Sequence, residues 1–242
     1  MTRLFILTVI SIIMVSCGQE KSKIDYNKTI DTTAVFKFEI EDTTKILVSE
    51  LPVKIDSTEI LLFAIGLVDL QERGRYSSIA SGSYSDSEIA SSYFERDNFI
   101  GNFINIVFQD ASGNERKLTD KKIKIKSVNF LREIYNKTKV GYLLYSIIDG
   151  DSNGDQVLNN SDIAALYISK IDGTGFKKLT KELHEFYDWG SIKGENKVYF
   201  RTLEDKNKDG KLTNKDLFHY YHIDFTADNY TMIEYNPTKL FE

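Results

Sequence analysis

Leu166-Tyr167-Ile168-Ser169-Lys170-Ile171-Asp172-Gly173-Thr174-Gly175-Phe176-Lys177-Lys178-Leu179-Thr180 reads as a strand, a glycine-containing turn and a second strand closing on Lys-Leu-Thr. Asn105-Ile106-Val107-Phe108-Gln109-Asp110-Ala111-Ser112-Gly113-Asn114-Glu115-Arg116-Lys117-Leu118-Thr119 aligns with it and closes the same way. A weaker copy occupies residues 218–235, turning at Ala227-Asp228-Asn229. Each hairpin is preceded by another apolar run, at residues 60–69, 141–149 and 196–203. Short runs rich in β-branched and aromatic residues, bounded by turn-forming residues, are strand signals. The repeating unit is therefore strand, insertion, strand, turn, strand, with residues 186–192 as a short strand between units. The expected fold class is mostly β, built from repeated antiparallel units.

Upstream, residues 34–40, 45–50 and 53–55 show the alternation of strands, broken at Pro52. Residues 71–98 are Ser-rich and have no period, which predicts a long exposed loop or insertion. Ser81-Gly82-Ser83 within it lacks the strand–turn–helix setting of a nucleophilic serine. With 242 residues, 41% hydrophobic and 12% aromatic, the chain can bury one substantial core or two small ones. A formal charge of −5 disfavours nucleic acid as a partner, because that role needs a basic face.

Two of the insertions carry the candidate chemistry. In Asp205-Lys206-Asn207-Lys208-Asp209-Gly210-Lys211-Leu212-Thr213-Asn214-Lys215-Asp216, oxygen-bearing residues fall at positions 1, 3, 5, 9 and 12 of a twelve-residue loop. Gly210 takes the sharp turn at position 6, and an apolar residue follows at 8. The same offsets recur in residues 151–162 with Asp151, Asn153, Asp155, Asn159 and Asp162, and with Leu158 at the apolar position. This is the pattern of a calcium loop: Ca²⁺ takes six to eight oxygens at about 2.3–2.6 Å, and alternate residues of a tight loop can turn inward to supply them. Val157 and Lys211, at position 7, would contribute backbone carbonyls. The predicted ligands are therefore Asp151, Asn153, Asp155, Val157, Asn159 and Asp162 at site one, and Asp205, Asn207, Asp209, Lys211, Thr213 and Asp216 at site two.

Asp rather than Glu at position 12 resembles the loops of the dockerin type. Strand-like runs flank both loops, so each is expected to join two strands, although a short helical turn at residues 161–165 is compatible with the sequence. Site one has Gln156 where the turn normally takes Gly, a strain of about 1 kcal/mol or more. Site two has four nearby lysines whose charges are solvated and screened. Site two is therefore expected to bind more tightly. A calcium sensor would expose a Met-rich groove on opening. With only three Met in the chain, structural calcium is the expectation.

At the N-terminus, Arg3 precedes an apolar stretch at residues 4–15 interrupted only by Thr8 and Ser11. It is short against the roughly 20 residues of a membrane span and suits a signal peptide. The stretch ends Met14-Val15-Ser16-Cys17, and Cys17 is the chain's one cysteine. That ending resembles the lipobox of bacterial lipoproteins, although Met14 stands where Leu is usual. The resemblance implies a signal peptide at 1–16, a lipidated Cys17 with a polar tether at 17–33, and one domain at 34–242. It also implies a cell-envelope location with the membrane reached through the lipid. A single thiol allows no internal disulfide.

The hairpin Leu166-Tyr167 … Asp172-Gly173 … Leu179-Thr180 is similar to that of the periplasmic β-propellers related to the TolB family. The resemblance implies blade-like units, yet a propeller needs at least four blades. Either a further blade lies in residues 34–56, or the sheets stack openly or pack as a sandwich.

Other chemistry is sparse. His219 and His222 point to opposite faces of a strand, which argues against a shared zinc site. Trp189 reads as core, and Glu182 and Glu185 as solvated surface. No phosphate-binding loop, dinucleotide fingerprint, HExxH or CxxC occurs. The function expected is a calcium-binding, lipid-anchored, non-catalytic module that binds an envelope protein or glycan. The rival is an envelope hydrolase on the same calcium-stabilised scaffold.

Overall fold

The computed structural model describes residues 22–37, 45–55, 58–69, 93–95, 97–226 and 229–241. The apolar leader, Cys17 and nearly all of the Ser-rich stretch lie outside the described residues. The chain runs β1 (Lys45–Ser49), β2 (Val53–Lys54), β3 (Leu61–Asp69), β4 (Tyr93–Glu95), β5 (Asn98–Phe103), β6 (Asn105–Gln109) and β7 (Glu115–Lys117). It continues through β8 (Lys124–Phe130), a short helix α1 (Arg132–Thr138), β9 (Tyr142–Ile148), β10 (Ala165–Lys170) and β11 (Lys177–Lys178). The last strands are β12 (His184–Ser191), β13 (Lys197–Glu204), β14 (Leu217–Phe225) and β15 (Tyr230–Tyr235).

These strands form three antiparallel sheets. The first has the order β1-β3-β6-β7, with β2 also on β3; the second is β11-β10-β9-β8-β5-β4; the third is β12-β13-β14-β15. Each sheet therefore contains a four-strand meander, and in each the long insertion falls between its second and third strands. The repeating unit read from the sequence is present, with β1, β8 and β12 each adding one strand in front of it. The insertion of the first unit crosses over: β5 pairs with β8, Phe99 lying opposite Val128, and so extends the second sheet.

Residues 45–54 do not build a further unit, because β1 and β2 both pair with β3. Of the strand expected at residues 34–40, the described part makes one bridge, Val35 to Lys121. The three sheets stack as open layers, and the described strands form no closed barrel.

Side-chain parity explains the stacking. On β9, Leu143, Tyr145 and Ile147 enter a core shared with Leu62, Ala64, Ile106 and Phe108 of the first sheet. The alternate residues Tyr142 and Leu144 enter a second core with Val198, Phe200, Tyr221, Ile223 and Phe225 of the third sheet. β10 repeats the division, Ala165 and Tyr167 going one way and Leu166 and Ile168 the other. A strand buried on both faces needs apolar residues at every position, which is why residues 141–148 read as one continuous run. β13 and β14 belong to an outer layer and alternate instead. Trp189 packs against the second core, as expected.

Candidate metal-binding loops

The two loops occupy equivalent places, residues 151–162 between β9 and β10 and residues 205–216 between β13 and β14. Both are entered and left by strands. Residues 161–162 form a turn and bend rather than a helix, and β10 starts at Ala165.

Their hydrogen bonds match position by position. The position-6 N–H donates to Oδ2 of position 1, Gln156 to Asp151 at 2.7 Å and Gly210 to Asp205 at 2.7 Å. Position 5 donates its N–H to Oδ1 of position 3, Asp155 to Asn153 at 2.9 Å and Asp209 to Asn207 at 3.0 Å. Position 7 donates to Oδ1 of position 5, Val157 to Asp155 and Lys211 to Asp209, both at 2.8 Å. Position 9 donates to Oδ2 of position 12, Asn159 to Asp162 at 2.9 Å and Thr213 to Asp216 at 2.8 Å. Oδ1 of position 12 in turn accepts from the N–H of position 2, Ser152 at 2.8 Å and Lys206 at 3.3 Å. These short-range bonds are the turn chemistry that Asp and Asn favour. All twelve residues read as ligands thus lie in two matching folded loops.

Backbone strain is shared equally, contrary to the sequence-based expectation. Gln156 has φ +67° and Gly210 φ +80° at position 6, but position 4 is also left-handed, Gly154 at +75° and Lys208 at +58°. Each loop carries one Gly and one other residue in this region, so Gln156 gives site one no net disadvantage. Asp149, two residues before loop one, is engaged elsewhere: it accepts from the Tyr167 hydroxyl at 2.6 Å and pairs with Lys178 at 2.8 Å.

The loops differ in what their carboxylates still lack. Asp151 Oδ1 already accepts from the N–H groups of Gly154 and Asp155. Asp205 is only 3% exposed, and its Oδ1 has no hydrogen-bond partner among the described residues. A buried carboxylate oxygen without a donor costs free energy that a cation would recover. Asp162, also buried, has its pKa raised by burial and, as a lesser cause, by the Asp151 charge. Asp216 lies near the surface with its pKa lowered, first by the Thr213 N–H.

A strap covers both loops. The N–H groups of Lys23 and Ile24 donate to the Gly210 carbonyl at 2.8 and 3.1 Å, and the Asp25 N–H to the Ser152 carbonyl at 2.7 Å. Ser152 Oγ donates back to the Lys23 carbonyl at 2.6 Å, and Lys28 Nζ reaches the Gly154 carbonyl. Tyr26 sits beside Asp205, and burial together with that carboxylate pushes its pKa up to about 12. These strap residues fall in the segment expected to be only a polar tether, and nothing in their spacing announces the contact. A cavity of about 220 Å³ opens beside loop one, with Lys28, Asp31, Lys122, Asp151 and Gln156 on its wall.

Comparison with models of known families, with curated proteins and with solved structures gives no match for this chain.

Proposed function

We propose that the protein is a calcium-binding, lipid-anchored module of the bacterial cell envelope, in which two Ca²⁺ ions clamp a stack of blade-like sheets. The observation that carries this reading is Asp205 Oδ1, buried and without a backbone donor among the described residues, at position 1 of a loop whose hydrogen bonds repeat those of a second loop. Asp205, Asn207, Asp209, Thr213, Asp216 and the Lys211 carbonyl hold the ion at site two. Asp151, Asn153, Asp155, Asn159, Asp162 and the Val157 carbonyl hold it at site one. Calcium supplies positive charge where each loop gathers three aspartates.

The role is structural because each loop joins strands of a packed sheet and lies under one strap; among the described residues no pair of helices flanks either loop. Affinities belong in the range of extracellular calcium modules, on the order of 10⁻⁴–10⁻³ M or tighter. The four-strand meanders and the Leu166–Thr180 hairpin support the likeness to propeller blades, and the lipobox-like Met14–Cys17 supports the anchor.

A non-catalytic binding role fits the outer surface of the third sheet. Tyr187 packs edge-on against Phe218 with Arg201 over both rings, and Tyr199, His222 and Tyr235 form a second ring cluster beside them. Such a flat aromatic face suits an envelope protein or glycan as partner. The test is calcium titration of the purified protein by calorimetry. Two binding events, one lost in Asp205→Ala and the other in Asp151→Ala, are expected; no calcium heat in the wild type overturns the proposal.

A further inference from the structure

We infer that His184, Glu204 and His219 form a third metal site, suited to a divalent transition metal such as Zn²⁺ and separate from the calcium loops. The three residues come from adjacent strands. His184 lies directly opposite Glu204 in the β12–β13 register, and His219 lies opposite Thr202, two residues before Glu204. All therefore share the inner face of the third sheet, at the end where its core gives way to solvent. One ligand atom from each falls within 4.8 Å of the others.

The ring orientations support ligation. His219 Nδ1 is 2.9 Å from Glu234 Oε1, and His184 Nδ1 is 3.3 Å from Thr202 Oγ1. Both histidines thus commit Nδ1 to an outer partner and turn Nε2 toward the Glu204 carboxylate, at 2.7 Å for His219 and 3.9 Å for His184. Metal-bound imidazoles are typically fixed this way, through a carboxylate or other acceptor on the second nitrogen. Glu234 is itself held by Lys181 at 2.9 Å.

In a tetrahedral site with bonds near 2.0–2.1 Å, ligand atoms stand about 3.3–3.4 Å apart. The two Nε2–carboxylate distances bracket that spacing, and the third edge, between the histidines, lies within 4.8 Å, so side-chain shifts on the order of 1 Å convert the cluster into a coordination set. Two imidazoles and one carboxylate select a borderline cation over Ca²⁺, which prefers oxygen alone. Three protein ligands leave a further position for water or an exogenous group. Glu204 reaches solvent, its side chain being 44% exposed, so an ion has a path in.

The test is Co²⁺ titration of the full-length protein with Ca²⁺ in large excess to occupy the loops. Wild type is expected to take one Co²⁺ and to develop the visible absorption of a nitrogen-ligated four- or five-coordinate ion. His184→Ala and His219→Gln should each weaken binding at least tenfold. His222→Ala, on the opposite face of β14, should leave it unchanged. If His184→Ala fails to fold, the wild-type spectrum and the milder His219→Gln decide. A wild type without the Co²⁺ spectrum, or a His219→Gln protein that binds as well as wild type, overturns the assignment.

Discussion

The Gly210 N–H donates to Asp205 Oδ2 at 2.7 Å, while Asp205 Oδ1 is buried and accepts no backbone N–H among the described residues, with only the Tyr26 hydroxyl beside the carboxylate. The strap closes on the same glycine: a Cβ added at Gly210 would lie 2.2 Å from Ser22 Oγ and 2.4 Å from the Ile24 carbonyl. Proposed metal site, loop turn and strap thus meet at one residue pair.

Replacing Asp205 by Asn should separate charge from shape. The amide keeps the size of the side chain while removing the anion. In chelator the variant should unfold at nearly the wild-type denaturant midpoint, because the uncompensated charge is gone. In calcium at about a hundredfold over its dissociation constant, wild type should gain up to about 2.7 kcal/mol per site, and the variant should forfeit the share of site two. Paired urea titrations with and without Ca²⁺ give the comparison.

Site two should still bind calcium more tightly than site one, for a reason other than backbone strain. Ca²⁺ at site two would meet an Asp205 Oδ1 that accepts no backbone N–H among the described residues, whereas Asp151 Oδ1 must give up bonds from Gly154 and Asp155. The strain itself should be equal. Gln156→Gly and Lys208→Gly are expected to change stability by the same amount within about 0.5 kcal/mol, each trading relief of roughly 1 kcal/mol of left-handed strain against the added freedom of glycine in the unfolded chain. Chemical denaturation of the two variants in chelator checks this. By contrast, Gly210→Ala should displace the strap and expose the Lys23–Ile24 peptide to rapid hydrogen exchange.

Leu144 is the residue on which the layered arrangement is most simply tested. It is fully buried on the face of β9 that meets the third sheet. Leu144→Ala should cost about 2–5 kcal/mol. If instead the third sheet packs independently of the second, the loss would be under about 1 kcal/mol by the same denaturation measurement.

Acid should weaken the fold through His184. Burial, and secondarily His219, lowers its pKa below the ordinary value of about 6.5. The unfolded chain then takes up a proton at a pH where the folded protein does not, so stability falls as pH drops from about 6.5 toward the folded pKa. In metal-free buffer, His184→Gln should flatten the dependence of unfolding free energy on pH between 7 and 5. An unchanged slope would place the acid sensitivity elsewhere.

Much of this fold is legible in the sequence. The Lys-Leu-Thr hairpins mark the third and fourth strands of two sheets, and the apolar runs mark the strands before their insertions. The layering is harder to see. Residues 141–148 carry no periodicity because both faces are buried, so the run alone does not say which neighbours it separates. Val35 and its surroundings read as a strand by alternation, but the described part makes only one bridge. The two matching twelve-residue loops are legible because their aspartates and asparagines are local in sequence, and calcium in them is the proposal. His184 and His219 are not, since only the registers of β12, β13 and β14 bring them together. Consecutive-position parity correctly separated His219 from His222 and could do no more.

The central claim is that calcium holds this scaffold together, and thermal unfolding in Ca²⁺ against EGTA tests it most directly. At calcium about a hundredfold over the dissociation constants of both sites, the midpoint should rise by about 10–20 °C over the EGTA sample, with Mg²⁺ failing to substitute. Coincident midpoints in Ca²⁺ and EGTA would contradict the account.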